Sequence, residues 1–307
     1  MFISVIIPTF NRRLILEKCL RALENQHLIP EIEKYEIVVV DDGSTDGTQS
    51  WIRDSSKEFP HVRLIEQVHG GPAEARNRGV ENSLGDLIVF IDSDLVVTNS
   101  FLISHVQSLL RAWQRRNNRL CFTYGAVINT SNFENPTSEK FKLGDLSWAY
   151  FATGNVAIDR DVLKKSGLFD TSFHLYGWED LELGERLRQM GVELLKCPKA
   201  VGYHWHPALT LDQIPSLIRV EKERAKMGLV FYQKHPTFRV RLIIQFTFMH
   251  RFLWEFLTLF GLVNVKTIKP LISFLIRRRL TSLAMELLRV PLNLIGVREI
   301  FREAAIK

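Results

Sequence analysis

Residues 84–97, Leu-Gly-Asp-Leu-Ile-Val-Phe-Ile-Asp-Ser-Asp-Leu-Val-Val, constrain the fold more than any other stretch. The unbroken apolar run Leu87–Ile91 suits a central strand buried on both faces, as in a parallel-type α/β sheet. It stops at Asp92-Ser93-Asp94. Two carboxylates two residues apart at the end of a buried strand repel each other unless they are hydrated, hydrogen-bonded or bound to a cation. The carboxyl edge of such a sheet is also where ligands bind. The stretch reads either as a metal-assisted site for a phosphorylated ligand or as an Asx-rich turn capping the next helix.

Strand and helix patterns alternate around this run. Phe2–Ile7 reads as a strand ended by Pro8-Thr9-Phe10-Asn11, because proline cannot continue a central ladder. Residues 14–26 follow as an amphipathic helix. Tyr35–Val40 is a strand ending in Asp41-Asp42-Gly43-Ser44, which is turn chemistry, and a helix starts near Thr48. A short strand over 62–66 and a helix over 73–82 lead back to Leu87. Beyond it come a helix over 100–115, a strand over 120–128 and a long Asn/Ser/Pro/Gly-rich loop over 129–147. The segment Gly154-Asn155-Val156-Ala157-Ile158, short helices, and two short strands over 192–197 and 201–203 complete the compact part. This alternation with short connections specifies an α/β sandwich. Residues 8–13 carry neither G-x-G-x-x-G nor a Walker loop, against a dinucleotide-binding dehydrogenase or a P-loop enzyme.

The chain has 307 residues and a formal charge of +6, unevenly placed. Residues 238–307 hold 12 Lys and Arg against 4 Asp and Glu, so the basic character belongs to the tail. A nucleic-acid footprint over the whole surface would not be confined in this way. Cys19, Cys121 and Cys197 are distant and odd in number, so neither a disulfide framework nor a zinc site is expected. The first strand begins at Phe2 with no basic or apolar leader before it, so signal-peptide secretion is not expected and a cytoplasmic location is.

Two acidic clusters carry the candidate chemistry. At the first, Asp42 can accept an imide N–H, Asp92 a ribose hydroxyl, and Asp94 can bind a divalent cation shared with a diphosphate. Arg76 can bind phosphate or simply form a helix-surface salt bridge. At the second, Glu179 and Asp180 precede a helix beginning at Leu181, where acids also act as plain N-terminal caps. The flanking Tyr176 and Trp178 suit a sugar platform, with Asp180 as a general base on an acceptor hydroxyl and Glu179 on a sugar hydroxyl. His204 and His206 would share one face of a strand, and one of them, His204 first, can complete a metal site with Asp94.

Together these segments resemble an inverting family 2 glycosyltransferase of GT-A fold. The resemblance covers roughly the first 206 residues. It rests on Ser4-Val-Ile-Ile-Pro-Thr-Phe-Asn11, Val39-Val-Asp-Asp-Gly-Ser-Thr-Asp46, Ala75-Arg-Asn-Arg-Gly79, Phe90-Ile-Asp-Ser-Asp94 and Gly177-Trp-Glu-Asp-Leu-Glu182 in order. It implies a mixed, mostly parallel sheet and a UDP-sugar donor bound by Pro8, Thr9, Phe10, Asn11, Asp41, Asp42, Arg76, Asp92 and Ser93. It implies Gly154 and Asn155 beneath the donor sugar, Mn²⁺ or Mg²⁺ at Asp94, and Asp180 as base for a single inverting displacement. The Gly-Trp-Glu-Asp form with a downstream His204 is similar to the galactosyl and N-acetylgalactosaminyl side of the superfamily. The Gln-x-x-Arg-Trp segment of processive synthases is absent.

The expected organisation is a catalytic domain over 1–237, comprising a nucleotide half over 1–98, an acceptor half over 99–210 and a connecting helix over 211–237. A basic amphipathic tail over 238–307 follows. No uncharged run in the tail reaches the ~20 residues of a membrane span. Interfacial helices are expected at 240–290, placing the protein on the inner face of the cell membrane beside a glycan or lipid-linked acceptor; a homodimer interface is the rival. Two other functions are weighed. A nucleotidyltransferase making a sugar nucleotide would carry a glycine-rich loop where Pro8-Thr9-Phe10-Asn11 stands. A non-catalytic sugar- or partner-binding module would not need Asp94 and Asp180.

Overall fold

The structure is a computed structural model that describes every residue except Leu146, Trp148 and Lys307. Trp148, beside the long loop, therefore lies outside the described residues. The chain divides into two compact units. The first comprises Met1–His174 and Glu179–His206, and the second comprises Leu175–Trp178 and Pro207–Lys307. This division places the helix expected to connect catalytic part and tail within the second unit.

The first unit is built on one eight-stranded sheet. Its strands are β1 (Phe2–Thr9), β2 (Lys34–Asp41), β3 (Val62–Glu66), β4 (Leu87–Ile91), β5 (Leu95–Val97), β6 (Cys121–Thr130), β7 (Asn155–Asp159) and β8 (Glu193–Trp205). The order is β3-β2-β1-β4-β7-β6-β8-β5. The β1–β2, β1–β4, β2–β3 and β6–β8 pairs are parallel, and β4–β7, β6–β7 and β5–β8 are antiparallel. The helices are α1 (Arg13–Glu24), α2 (Thr48–Asp54), α3 (Pro72–Glu81), α4 (Phe101–Arg116), α5 (Arg160–Lys165) and α6 (Glu179–Gln189). Two buried apolar clusters sandwich the sheet. One holds Ile3, Val5 and Val89 with Leu16 and Leu20 of α1; the other holds Ile6, Val38 and Phe90 with Val80 of α3 and Leu183 of α6. The alternation of neighbouring strand residues between the clusters is the period-two pattern of a sheet covered on both faces.

Three boundaries differ from expectation. Pro8 does not end β1, which runs on to Thr9. The β1–β4 ladder stops at the Ile6–Phe90 pair, so beyond it β1 has a partner only in β2, and a residue without N–H is tolerated there. The two short strands around Pro198 are one strand, β8. Its register against β6 jumps from Gly125–Cys197 to Ala126–Val201, and the bulge between absorbs the proline. Helix α6 begins at Glu179, so Glu179, Asp180 and Glu182 sit in its first turn, where the helix dipole favours them.

The second unit is helical: α7 (Ile214–Lys234), α8 (Phe238–Ile243), α9 (Phe248–Leu257), α10 (Val265–Arg277) and α11 (Thr281–Ile306). Ile272 and Leu275 of α10 and Ala284, Leu288 and Leu292 of α11 form its main apolar cluster with Leu209 and Ile214. Helix α11 runs to Ile306, past the expected interfacial stretch, and continues through Pro291.

A polar network pins the bulge of β6 and β8. Asn155 is fully buried, donating from Nδ2 to the carbonyls of Ala126 (3.0 Å) and Ala200 (2.9 Å), with Oδ1 2.9 Å from His105 Nε2. His105 Nδ1 lies 2.7 Å from Thr123 Oγ1, and burial lowers the imidazole pKa to about 4, so the ring is neutral. Gly125 is required here: a Cβ would fall 2.3 Å from Asn155 Nδ2 and 2.4 Å from the Ala200 carbonyl oxygen. Asn155→Ala strands these buried partners and is expected to cost about 3 kcal/mol of stability. Urea unfolding checks this.

Candidate active site

The sheet brings the first acidic cluster to one edge. Parallel pairing sets Thr9 against Asp41 at the ends of β1 and β2. Three buried oxygens here have no partner among the described residues: Thr9 Oγ1, Asp41 Oδ2 and Gln67 Oε1. Unpaired buried polar atoms are rare in a folded protein and ask for a ligand or water to satisfy them. Asp41 Oδ1 accepts from the Ser44 N–H and Gln49 Nε2, at 2.9 and 2.7 Å. Phe10 is partly exposed and stacks on His69, with ring centroids 4.4 Å apart.

Asp42 is placed differently from the imide-binding role read in the sequence. Its Oδ1 accepts from Gln67 Nε2 at 2.7 Å and the Gly70 N–H at 2.8 Å. Its Oδ2 accepts from the Gly71 N–H at 3.0 Å and lies 2.9 Å from His69 Nδ1. Both oxygens thus hold the 67–71 loop. Asn11, at φ +53°, likewise clamps the loop after β2: Oδ1 accepts from the Thr45 N–H at 2.8 Å, and its own N–H donates to Ser44 Oγ. Pro8 lies in β1 beside them, and Ser93 is buried in the turn between Asp92 and Asp94.

The β5–β8 pairing brings two distant segments together. It sets Leu95 opposite His204, and the Trp205 N–H donates to the Asp94 carbonyl at 2.9 Å. His204 Nε2 lies 2.8 Å from Asp94 Oδ1, and Arg12 Nη1 bonds Asp94 Oδ2. Asp94, His204 and His206 each offer a ligand atom within 4.8 Å of the others. Burial would raise the Asp94 carboxyl, but His204 and Arg12 hold it below the usual range. Burial opposes protonation of His204, yet its bond to Asp94 prevails and raises its pKa. Burial, then the neighbouring His204, push His206 down to about 4, which leaves a neutral ligand nitrogen. A carboxylate with two imidazoles is a donor set suited to a divalent transition metal.

Arg76 joins the two acidic clusters. Its buried guanidinium reaches Glu179 Oε1 through Nη1 at 2.9 Å and Asp92 Oδ1 through Nη2 at 3.2 Å. It is therefore a buried ion-pair hub and not a surface salt bridge. Glu179 Oε2 and Arg76 Nε remain buried without a partner among the described residues. Burial works against the Arg76 charge, but Glu179, Asp92 and Asp180 hold it protonated. Asp180 carries the opposite perturbation. Burial and the adjacent Glu179 raise its carboxyl to about 7 against the counteracting Arg76. A carboxyl poised near neutrality suits general acid–base work.

Gly154 precedes β7 beside this centre, and a Cβ there would lie 3.1 Å from Asp92 Oδ2, so the glycine keeps the carboxylate's surroundings open. The side chain of its neighbour Asn155, read in the sequence as lying beneath the donor sugar, bonds to the core network, because β7 turns it into the sheet interior. Trp178, read in the sequence as part of a sugar platform, belongs to the second unit. Its indole N–H donates to the Arg224 carbonyl at 2.6 Å and its ring lies under the Arg224 guanidinium, all within the second unit. Tyr176 is exposed in that unit. Sequence reasoning missed Arg12, Gln67 and His69. Arg12 directly follows the Pro-Thr-Phe-Asn segment, a signal that was available; Gln67 and His69 show only once β3 is paired with β2.

The model described as Glycosyl transferase family 2 matches residues 4–167, and the chain belongs to that family. It is 30% identical over 206 residues to the glycosyltransferase AglE of Haloferax volcanii, covering 66% of each chain. It is 26% identical over 262 residues to an uncharacterized glycosyltransferase, YfnE, of Bacillus subtilis, covering 67% of this chain and 65% of the relative. The chain thus spans about two thirds of the length of these relatives. Among solved structures, it superposes on a mannosyltransferase, PcManGT, from Pyrobaculum calidifontis in complex with GDP-Man and Mn²⁺. The TM-score is 0.61 at 19% identity, over 96% of this chain and 85% of that one. TarS 1–349 of S. aureus in complex with UDP-GlcNAc gives a TM-score of 0.58 at 16% identity, over 99% and 92%. These likenesses support the GT-A fold that the sequence motifs implied.

Removing Arg76 strands the buried Glu179 carboxylate and takes the cation from half-buried Asp92. Arg76→Met is expected to cost about 3–5 kcal/mol. Adding Glu179→Gln should recover part of that loss, and a double-mutant cycle by urea unfolding measures the coupling.

Proposed function

We propose that the chain transfers a hexose or N-acetylhexosamine from a UDP-sugar to a hydroxyl of a glycan or lipid-linked acceptor, with inversion. The observation that carries this reading is the junction of the two acidic clusters through Arg76, beside the Asp94–His204–His206 cluster. Asp92 and the unpaired oxygens of Thr9, Asp41 and Gln67 offer acceptors for ribose hydroxyls and a base edge. A divalent ion held by Asp94, His204 and His206 would supply positive charge to the departing diphosphate. The imidazole share of that donor set favours Mn²⁺ over Mg²⁺, which prefers oxygen ligands. Arg12, on Asp94, adds a guanidinium of the kind that binds phosphate.

On the acceptor side Asp180 takes the hydroxyl proton as that oxygen bonds to the anomeric carbon. The bond from that carbon to the diphosphate oxygen breaks with its electron pair, and UDP leaves. Displacement from the face opposite the leaving group inverts the centre. Glu179 keeps the cluster anionic beside Arg76, which in turn fixes Asp92.

Two measurements test this. The first is binding of a panel of UDP- and GDP-sugars with Mn²⁺, with Mg²⁺ and with chelator. Metal-dependent binding of one donor, lost in Asp94→Ala, is expected. Absence of binding to any nucleotide sugar by the folded, metal-supplemented protein would sink the reading and favour a non-catalytic module. The second is the pH profile of transfer with the donor so found. Asp180 acts deprotonated, so kcat should climb through about pH 7 to a plateau. Asp180→Asn should lower kcat by about 10²–10⁴-fold with donor affinity unchanged.

A further inference from the structure

Helix α9 and the turn after it have an exposed apolar surface with no counterpart in the core. No residue of α9 is buried. Phe248, Phe252, Leu253 and Phe256 form an exposed stripe at helical spacing, and the rings of Phe252 and Phe256 stack at 6.3 Å. The opposite side of the helix is half-buried through Trp254, whose N–H donates to Gln245 Oε1 at 2.6 Å, and through Glu255, which pairs with Arg298 at 2.6 Å. The turn then holds Leu259 and Phe260 at φ +50° and +55°, and they are 56% and 68% exposed. Two consecutive bulky apolar residues in the left-handed region, facing outward, oppose both backbone preference and the hydrophobic effect in water.

Charge decides what covers this surface. Residues 256–285 contain no Asp or Glu, and they carry Lys266, Lys269, Arg277, Arg278 and Arg279, all exposed. The acids that bracket the stretch are already engaged, Glu255 by Arg298 and Glu286 by Arg289 at 2.7 Å. On α10 these cations flank the exposed Leu271 and Phe274, and the Arg278 guanidinium lies 5.5 Å from the Phe274 ring centre. A second copy of the chain would bring the same cations face to face without acids to meet them, because an isologous interface pairs a patch with itself. An anionic lipid surface satisfies both features, taking phenyl and leucyl groups into the acyl boundary and basic groups to its phosphates. No described helix is long and apolar enough to cross a membrane, so the fit is to one leaflet.

We propose that residues 248–262 insert into the interface of an anionic bilayer, with Lys266, Lys269 and Arg277–Arg279 on its headgroups. The inference is independent of the donor site. Its test is co-sedimentation of the full chain, without donor, with vesicles of phosphatidylcholine alone and of phosphatidylcholine with phosphatidylglycerol. Strong sedimentation with the anionic vesicles, several-fold weaker with the neutral ones and weakened by 0.5 M salt on the order of a Debye-screened contact, is expected. The variant combining Phe252→Ser with Phe256→Ser should bind at least tenfold less, on the order of losing two buried rings. Phe260→Gly suits its left-handed backbone, so it should weaken binding while the circular dichroism and melting profile stay unchanged. Failure of the wild-type chain to bind anionic vesicles overturns the proposal. So does binding that neither variant weakens. A dimer seen by light scattering that the serine variant breaks, with no vesicle binding, would assign the surface to a second copy.

Discussion

The Arg76 guanidinium is the contact on which the first unit's chemistry depends. Asp92, Glu179 and Asp180 come from segments far apart in sequence, and all three carry negative charge at neutral pH in water. Brought together out of water they would repel one another, and each would bear a desolvation cost. One buried cation reaching Glu179 and Asp92 makes the assembly tolerable. Burial first, and then the adjacent Glu179, still raise the Asp180 carboxyl to about 7 against the pull of Arg76. That perturbation suits the base role proposed for Asp180. A carboxyl held near neutrality accepts a proton far better than one with an ordinary low pKa. A buried ion pair is weak evidence of stability in itself; here its geometry ties the end of β4 to the first turn of α6.

The second group of distant residues is held by backbone pairing instead of charge. His204 reaches Asp94 because β8 pairs antiparallel with the three-residue β5. Close packing reinforces this alignment: a Cβ on Gly202 would fall 2.5 Å from Leu95 Cδ2, so only glycine lets β8 lie this close. The bulge opposite Gly125 resets the register of β8 before it reaches β5. The Asn155–His105 network that closes this bulge is thus part of what aims His204, although it touches no ligand atom of the cluster.

What could be read from the sequence follows the range of the signals. Element type and order were legible where the apolar pattern was long or sharply bounded, as at Leu87–Ile91 and Val62–Glu66. Histidines two apart announced a shared face on a strand. The three-residue β5 is too short for any periodicity to reveal. Pro198 looked like a strand break because a proline's effect depends on whether a bulge takes it up, and the bulge is a property of the partner strand. Polar residues in a motif, such as Asn155 and Asp42, carry no mark of which of their atoms the protein itself will occupy. Arg76 was legible as a charged helix residue, but its two partners lie 16 and 103 residues away.

The tail illustrates the same limit from the other side. Its sequence points first to a membrane surface, with a dimer as the rival, since both need an apolar stripe at helical spacing. The tail's cations differ from those of the first unit in what surrounds them. In the first unit, basic groups are consumed by carboxylates: Arg76 by two of them, Arg12 by Asp94, Arg186 by Glu182. In α10 and the turn that follows it the five cations stand in a stretch without a single acid, next to aromatic rings that face outward. Apolar exposure alone would say only that something covers the helix. Apolar exposure joined to a run of positive charge without acids is what the proposed bilayer would match: a phase that is hydrocarbon inside and anionic at its edge.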